Sequence, residues 1–436
     1  MGKGTVVSKS TQSKHAVTRA VEPAVPDEVT VALTEIVSSA REGLLAFAVG
    51  TGLQVMQQIM DEQVVALCGP AGRHNRERLG YRHGREAGSV TLGGRRIAVE
   101  RPRVRAADRS GELAVPAYEL FSRSEVLGAM AMERMLAGLS TRRYQVGLEP
   151  VGDAVGASAS ATSRSAVSRK FVQATEHALA ELLATPLAAL DLVALMVDGV
   201  HFAGHCCVVA LGIDSEGRKH PLALEEGSTE NATLVRTLLV KLRDERGLDV
   251  TRPILVVIDG AQALRRAVQD VFDQPVIQRC QLHKTRNVLD KLPERLRETV
   301  ARRMRQAYHA DSALEAEAQL QALGRELDKT HPGAAASLRE GLAETLTVLA
   351  LDVPPTLART LRSTNAIESM IEICREHAKN VKRWRDGKMA ERWCAAGMLE
   401  AKKQFRRVNG YLHLPALRAA LERYVNEGIR SREHAA

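Results

Sequence analysis

The spacing of hydrophobic residues changes along the chain, and each change predicts a different kind of element. From Val29 to Leu67 apolar residues recur at helical spacing, with interruptions at Gly50 and Gly52, and this pattern predicts two helices. From Ser89 to Val104 apolar and polar residues alternate around the turn sequence Gly93-Gly94, which predicts a β-hairpin.

Helical spacing returns from Glu125 to Phe171, and this region has the pattern of a helix-turn-helix motif. A glycine-rich turn precedes Ser158 to Phe171, a serine-rich segment that contains basic residues. This arrangement predicts a short helix that contacts DNA. Arg164 and Arg169 are the candidate contacts. A small helical connector is the alternative interpretation.

The middle of the chain contains five short β-prone runs. They are Leu192–Val197, Cys206–Ile213, Lys219–Leu224, Ile254–Ile258 and Val276–Cys280. The first three predict an antiparallel meander, because the turn sequence Asp214 to Gly217 joins the second to the third. Asn231 can cap a helix that leads to the fourth run, and right-handed crossover connections place that strand beside the first. The fold class is therefore α/β, and the order of elements predicts a ribonuclease-H-like mixed five-stranded sheet.

Lys284 to Val353 has helical spacing and no strand signal, which predicts an all-helical insertion. Pro354-Pro355 closes it, Thr364 to Lys379 resumes as a helix that returns to the sheet, and Leu417 to Ile429 forms a last amphipathic helix. The expected organisation is a flexible tail (1–28), N-terminal helices and basic hairpin (29–120), a helix-turn-helix-like region (121–185), the first part of the core (186–283), the insertion (284–358), the second part of the core (359–410) and a C-terminal helix and tail (411–436).

Composition narrows the class of protein. A chain of 436 residues exceeds what one hydrophobic core usually serves, so two to four compact units are expected. The apolar runs are too short to cross a bilayer, and the polar, basic start from Met1 to Lys14 excludes a secretory signal. Six scattered cysteines without a Cys-x-x-Cys pair predict reduced thiols. These features predict a cytoplasmic protein that does not enter a membrane.

The charge balance predicts a polyanionic partner. Lysine plus arginine outnumber aspartate plus glutamate by 61 to 52, and the pI is near 9.4. Ten arginines surround the predicted hairpin: Arg73, Arg76, Arg78, Arg82, Arg85, Arg95, Arg96, Arg101, Arg103 and Arg105. Arg95 and Arg96, at the hairpin turn, are the candidate DNA contacts, and a solvated loop face is the alternative.

Two aspartates are predicted to end neighbouring strands. Asp198 follows the first apolar run and Asp259 follows the fourth, so their carboxylates should emerge side by side. Like charges at close range raise each other's pKa, and a divalent cation would neutralise them. Oxygen ligands of this kind favour Mg²⁺ or Mn²⁺ over Zn²⁺. An aspartate before glycine is also a common turn residue, but two on adjacent strands favour an ion site.

A third carboxylate is needed to hold two ions about 3.5 to 4 Å apart, as in phosphodiester displacement. Glu368, on the helix after the predicted insertion, is the candidate. It lies three residues after Asn365, a spacing that also fits a capping box, so spacing alone leaves both roles open. Three other acids, Glu225, Glu226 and Glu230, follow the third strand and are expected to face solvent.

Four sequence blocks together resemble the Mutator-type transposases of bacterial insertion sequences. The blocks are Met196-Val-Asp-Gly-Val-His201, Val257-Ile-Asp-Gly-Ala-Gln-Ala-Leu264, Gln278-Arg-Cys-Gln-Leu-His-Lys-Thr-Arg-Asn-Val288 and Ser363-Thr-Asn-Ala-Ile-Glu-Ser369. Their order matches that family's Asp-Asp-Glu triad, Cys-x-x-His pair and helical insertion before the glutamate. The resemblance extends from the arginine-rich hairpin through Trp393, and it implies that Asp198, Asp259 and Glu368 are catalytic.

The resemblance also implies the reaction and the partners. The expected reaction is metal-dependent cleavage at the ends of the element, followed by attack of the freed 3′-hydroxyl on target DNA. The expected partners are double-stranded DNA, as terminal inverted repeats and as target, and a second copy of the chain, in the bacterial nucleoid. Two features depart from the family pattern, namely Gly199 after the first aspartate and the N-terminal tail to Val29.

Further residues near the blocks are candidate DNA contacts. His201 is expected to contact a phosphate or to pack. Cys280 and His283 are expected to have a structural or DNA-positioning role, since two ligands do not make a zinc site. A basic helix-turn is predicted from Lys379 to Trp393, with Lys382, Arg383, Trp384 and Arg385 as candidate contacts. Arginines there suit phosphates, and tryptophan suits an unpaired base. A buried tryptophan that anchors the helix is the competing interpretation.

Three other functions remain open from sequence. A ribonuclease-H-like nuclease or resolvase would use the same metal chemistry without strand transfer. A catalytically retired transposase would act only as a DNA-binding regulator. A carboxylate hydrolase of sugars would use paired acids, but the basic charge balance favours nucleic acid.

Overall fold

The structure, a computed structural model, describes residues 44–92, 94–122, 124–144, 147–148, 151, 153–160 and 163–433. The first elements are α1 (Leu44–Cys68), β1 (Gly80–Leu92), β2 (Arg95–Ala106), β3 (Glu112–Leu113), α2 (Pro116–Ser122), α3 (Ser124–Leu136), α4 (Asp153–Ser158), β4 (Ala159–Ser160) and α5 (Arg164–Ala184). The sheet region contains β5 (Leu192–Phe202), β6 (His205–Asp214), β7 (Lys219–Gly227), α6 (Ala232–Asp244), β8 (Ile254–Ile258), α7 (Gln262–Val271) and β9 (Pro275–Arg279). The helices that follow are α8 (Gln281–Leu289), α9 (Glu294–Ala307), α10 (Ala313–Asp328), α11 (Pro332–Arg339), α12 (Leu342–Thr345), α13 (Thr347–Ala350), α14 (Pro355–Leu361), α15 (Asn365–Ala378), α16 (Gly387–Gln404) and α17 (Leu414–Glu433).

The chain forms two compact units, and the first is built on the predicted hairpin. This unit lies within residues 1–122 and 149–160. Strands β1 and β2 pair antiparallel, and both are longer than the alternation predicted. Strands β3 and β4 pair with β2. Val90 and Ile97, which face each other across the hairpin, pack in one core with Met60 of α1.

Helix α1 corrects the prediction of two helices between Val29 and Leu67. In the described part of this segment a single helix runs through Gly50 and Gly52. Glycine costs about 1 kcal/mol in a helix interior, but burial of apolar residues from the same helix offsets such a cost. The part of the prediction before Leu44 lies outside the described residues.

The second unit contains the predicted mixed five-stranded sheet, in the order β7-β6-β5-β8-β9. Strands β5, β6 and β7 form the antiparallel meander. Strand β8 pairs in parallel with β5 and with β9, so the predicted neighbours are correct. Strand β5 continues to Phe202, beyond the expected end at Val197. Asn231 caps α6 as predicted, with its side chain accepting a hydrogen bond from the Leu234 N–H.

Each face of this sheet is covered by a separate core. Side chains alternate across a strand, so Leu255 and Val257 of β8 face one core while Val256 and Ile258 face the other. Helices α15, α16 and α17 pack in the first core, and α6 and α7 pack in the second. Elements from opposite faces can therefore bring side chains to the same end of β8.

The chain from Lys284 to Val353 is helical, as predicted, and no strand occurs in this fully described stretch. Its helices have a core of their own, which includes Met304, Leu320 and Leu338. None of the described helices is long and apolar enough to cross a membrane. All six cysteines are unpaired and buried, which agrees with the prediction of reduced thiols.

Helix α5 is longer than the short helix predicted at its position. It extends over 21 residues from Arg164, and Ser163 caps it by accepting a hydrogen bond from Ala166 N–H. Its buried residue Phe171 packs against Trp393 of α16, with ring centroids 4.7 Å apart. Helices α3 and α5 lie in the second unit and α4 lies in the first. A DNA-binding role for this segment stays a prediction.

Candidate active site

Asp198 and Asp259 lie at the carboxyl end of β8. The last parallel pair between β5 and β8 is Met196 with Val257, and each aspartate follows its member of that pair by two residues. Asp259 comes directly after β8, whereas Asp198 lies inside β5, so the expectation that Asp198 ends its strand is wrong. The expected side-by-side placement follows from the register. One oxygen of each carboxylate accepts a backbone hydrogen bond, from Gly199 N–H at 2.8 Å and from Ala261 N–H at 2.7 Å.

Asp198 holds its negative charge at an energetic cost. The pKa of this carboxyl is raised to about 6, mainly by burial and in part by the charges of Asp259 and Glu368. The Gly199 N–H and the neighbouring His283 act in the opposite direction. Asp259 and Glu368 are therefore both close enough to Asp198 to disfavour its ionised form.

A fourth carboxylate, Glu230, belongs to the same group and was not identified from sequence. Its pKa is raised to about 7, mainly by burial and in part by repulsion from Asp259 and Asp198. Glu230 precedes the cap of α6 and comes from the sheet face opposite α15. Its Oε2 lies against Gly199, where a β-carbon would clash with it. Gly199 leaves the space that this carboxylate occupies.

The expectation that Glu225, Glu226 and Glu230 face solvent is wrong, because all three are half-buried. Glu226 pairs with His205 at 2.7 Å, and Glu225 pairs with Lys241 at 2.7 Å. In the described part of the chain, no basic side chain and no hydrogen-bond donor pairs with Glu230. Of the three acids, Glu230 is thus the one that has only carboxylates as charged neighbours.

Glu368 does not form the capping box that its spacing allows. Helix α15 is capped by Thr364, not by Asn365, and the Thr364 side chain accepts no capping hydrogen bond. Instead the Thr364 hydroxyl donates a hydrogen bond to Glu368 Oε1. The same Oε1 lies 3.7 Å from His283 Nδ1. The side chain of Glu368 is therefore held by the Thr364 hydroxyl and by the neighbouring imidazole.

Cys280, His283 and Glu368 form a second group around Thr364. Their ligand atoms lie within 4.8 Å of one another, so the structure adds a third ligand to the two that the sequence offered for a metal ion. The Thr364 hydroxyl lies 3.3 Å from Cys280 Sγ and 3.4 Å from His283 Nδ1. The Thr364 hydroxyl therefore contacts all three side chains. Thr364, Cys280, His283 and Glu368 together form a hydrogen-bond hub.

The hub shifts the ionisation of Cys280 and His283 in opposite directions. Burial raises the pKa of the Cys280 thiol, but hydrogen bonds with His283 and Thr364 outweigh it and leave the pKa lowered. The hydrogen bond to Cys280 raises the pKa of His283 despite burial, and the charges of Glu368 and Asp259 raise it further. The charge that His283 carries when protonated favours the ionised form of Asp198.

The other predicted contacts lie apart from this group. His201 is exposed on β5, opposite Cys206. Lys382, Arg383 and Arg385 are exposed in the connection between α15 and α16, and the helical part of the predicted basic helix-turn begins at Gly387. Asp386 starts α16 by accepting a hydrogen bond from Met389 N–H, so this connection ends where that cap begins.

The two tryptophans pack inside the second unit. Trp393 is buried, as the competing interpretation held for one of them. Trp384 is half-buried, with its ring centroid 4.9 Å from Phe202 and 6.3 Å from Trp393. Arg164 and Arg169 are exposed on α5. A role in DNA contact for these residues stays a prediction.

In the first unit, Arg95 and Arg96 are half-buried at the start of β2. The Arg96 guanidinium donates hydrogen bonds to Ser89 Oγ and to the Ser122 carbonyl. Arg96 thus stabilises the hairpin, and a DNA contact for either arginine stays a prediction.

Comparison with known proteins identifies the family. Over 370 residues, 84% of this chain and 90% of the relative, the chain is 29% identical to the transposase for insertion sequence element ISRM5 of Rhizobium meliloti. Over 254 residues, 57% of this chain and 75% of the relative, it is 32% identical to the transposase for insertion sequence element IS6120 of Mycolicibacterium smegmatis. The model of the family described as "Transposase, Mutator family" matches residues 28–408. The chain therefore belongs to the Mutator family of transposases.

Proposed function

We propose that the chain is the transposase of an insertion sequence, which cleaves DNA at the ends of the element and joins the freed 3′-hydroxyl to target DNA. The observation that carries this proposal is that Asp198 and Asp259 lie side by side at the carboxyl end of β8, with Glu368 close enough for its charge to raise the pKa of Asp198, in a chain of the Mutator family. Its relatives are named as transposases of insertion sequence elements.

The topology supports a ribonuclease-H-like core. An antiparallel meander is followed by two parallel strands, and the first and fourth strands are neighbours. Helices α8 to α14 separate the last strand from α15, which fits a helical insertion before Glu368. The N-terminal hairpin and helices would then serve DNA binding.

The donor set of this site fits hard divalent ions. We propose that Asp198, Asp259 and Glu368 hold two Mg²⁺ ions, for which Mn²⁺ can substitute, and that Glu230 adds a fourth carboxylate. The raised pKa values of Asp198 and Glu230 indicate that this place favours a cation beside the carboxylates. The space left by Gly199 admits Glu230 beside Asp198. When bound, such ions stabilise charge on the attacking and leaving oxygens of a phosphodiester.

The chain's own groups position these carboxylates. The Thr364 hydroxyl fixes the orientation of Glu368, and the imidazole of His283 lies beside it, with a raised pKa that favours the protonated form. Backbone N–H groups hold one oxygen of Asp198 and of Asp259, which leaves the other oxygen of each free for a ligand. Double-stranded DNA, as terminal inverted repeats and as target, is the proposed substrate, handled by a homodimer because two ends must be joined together.

The test is a cleavage and strand-transfer assay with Mg²⁺ on DNA that carries the element ends. Asp198→Asn and Asp259→Asn should abolish both steps and leave end binding nearly intact, because each substitution removes a charged oxygen ligand and little volume. Cleavage without joining by the unaltered protein would favour a nuclease or resolvase. Binding without cleavage would favour a DNA-binding regulator. Retained cleavage by either variant would remove that aspartate from the mechanism.

A further inference from the structure

A cleft with positive charge lies beside the start of α15, among α8, α9 and α14. Three arginines line it, namely Arg305 of α9, Arg359 of α14 and Arg362 directly after α14. None of the described residues that line the cleft is acidic. Leu282, with 44% of its surface exposed, provides an apolar side wall. The cleft thus concentrates cationic donors in one place.

The three arginines of the cleft have no acidic partner among the described residues, in contrast to Arg303 and Arg339. Arg303, also on α9, pairs with Glu326 of α10, and Arg339 at the end of α11 pairs with Asp328. Within the described residues no carboxylate pairs with Arg305, Arg359 or Arg362. Arg362 is half-buried, and the nearby Arg359 adds a like charge. Like charges that gather without a counter-charge indicate an anionic ligand.

His309 orients Arg362 without adding charge to the cleft. The His309 Nδ1 lies 2.7 Å from the Arg305 carbonyl oxygen, so Nδ1 carries a hydrogen and donates it. The Arg362 guanidinium donates to His309 Nε2 at 3.1 Å, so Nε2 is an acceptor and the imidazole is neutral. The remaining N–H groups of Arg362 are available to a ligand in the cleft.

The N-terminal end of α15 adds backbone donors. This helix has 14 residues, and no side chain caps its first turn. Asn365, its first residue, lines the cleft. Free N–H groups at a helix start favour anions, and guanidinium groups bind phosphate oxygens in pairs. The cleft and Glu368 share this helix, since Glu368 lies three residues after Asn365, about 4.5 Å along the axis.

We propose that this cleft binds a backbone phosphate of the DNA strand next to the phosphodiester that is cleaved. The inference rests on the proposed function, and it assigns Arg305, Arg359 and Arg362 to a subsite. Glu368 would face the reacting phosphate, while the start of the same helix and the three arginines would hold its neighbour. The subsite would fix the strand relative to the carboxylates.

The test measures binding in EDTA, so that it does not depend on cleavage. The probe is a fluorescent 30-base-pair duplex of random sequence with a single-stranded 3′ overhang. Arg305→Gln/Arg359→Gln should weaken binding several-fold and reduce the slope of log affinity against log salt by about 0.9 for each lost phosphate contact. The matched control is Arg295→Gln/Arg302→Gln, which alters two exposed arginines of α9 outside the cleft.

Equal losses of DNA affinity in the two double variants would contradict the proposed subsite, because they would indicate general attraction of DNA to a basic surface. An unchanged salt slope in the cleft variant would also overturn it. Thermal melts of both variants separate these outcomes from unfolding, and the exposed positions of Arg305 and Arg359 favour folded proteins. If the aspartate variants retain cleavage while the cleft variant loses binding, the proposed chemistry fails and the phosphate subsite stands.

Discussion

Two neighbouring regions of the second unit differ in the sign of their charge. The acidic edge consists of Asp198, Asp259, Glu230 and Glu368, and the arginine cleft contains Arg305, Arg359 and Arg362. The chain from 362 to 368 contributes to both. In each region like charges lie together without enough partners of opposite charge, unlike the paired charges at Arg303–Glu326.

This difference indicates what each region lacks. Like charges held close together destabilise the folded protein unless a bound ligand of opposite charge neutralises them. The acidic edge would be completed by cations and the arginine cleft by an anion. A metal ion and a phosphodiester together supply both charges, so one DNA strand bound with its ions would satisfy the two regions at once.

Glu368→Gln should have the largest effect, because Glu368 lies on the helix that joins the two regions. We expect cleavage to fall below detection while DNA binding and the melting temperature stay close to those of the unaltered protein. The substitution removes charge, and Glu368 caps no helix whose loss would unfold the protein. A thermal melt beside the cleavage assay checks this. A variant that is unstable but cleaves would show that Glu368 has only a structural role.

Gly199→Ala tests whether Glu230 belongs to the acidic edge. A β-carbon at this position clashes with Glu230 Oε2 and should displace that carboxylate. We expect the affinity for Mn²⁺, measured by calorimetry without DNA, to fall about 10- to 100-fold, as for other supporting groups of metal sites. Gly204→Ala is the matched control, because nothing lies within 4 Å of a β-carbon there. Equal affinities in the two variants would exclude Glu230 from the site.

Thr364→Val tests the hub that holds Glu368. Valine has nearly the same shape but donates no hydrogen bond, so Glu368 should lose its fixed orientation. We expect cleavage to slow about 10-fold, at the lower end of effects for groups that orient metal ligands. Thr364→Ser keeps the hydroxyl and should restore most of the rate. A serine variant as slow as the valine variant would show that the methyl group, not the hydroxyl, matters.

The smallest effect should be a pH dependence of stability without metal ions. The pKa of Asp198 is raised from 3.8 to about 6, and that of Glu230 from 4.5 to about 7. Between about pH 4 and 7 the folded state therefore binds more protons at these groups than the unfolded state, and stability falls as pH rises.

Melting temperatures in EDTA, compared with those of Asp198→Asn/Glu230→Gln, isolate this contribution. The melting temperature of the unaltered protein minus that of the variant should decrease from pH 4 to pH 7 and then stay constant. Mg²⁺ at pH 7 should restore stability only in the unaltered protein, because the ion binds the ionised carboxylates. A difference that is constant with pH would contradict the raised pKa values.

The sheet was predictable because its signals are local. Each strand is a short β-prone run, and the apolar sequence of Ile254–Ile258 is specific to a strand buried on both faces. The register that aligns Asp198 with Asp259 then follows from the parallel pairing of β5 and β8.

The proximity of Glu230 to Asp198 was not predictable from spacing. It depends on how the chain enters α6 after β7, and no local pattern encodes that path. Likewise, the spacing of Asn365 and Glu368 fits a capping box, but the contact of Thr364 with Cys280, 84 residues earlier, gives the hydroxyl another role. The arginine cleft combines α8, α9 and α14, which are separated in sequence and adjacent only after folding.

Anomalous diffraction from crystals soaked in Mn²⁺ tests the central claim most directly. We expect anomalous peaks between the carboxylates of Asp198 and Asp259, with Glu368 or Glu230 in contact, and we expect these peaks to be lost in Asp259→Asn. No peak at these carboxylates, or a single peak at Cys280 and His283 alone, would contradict it.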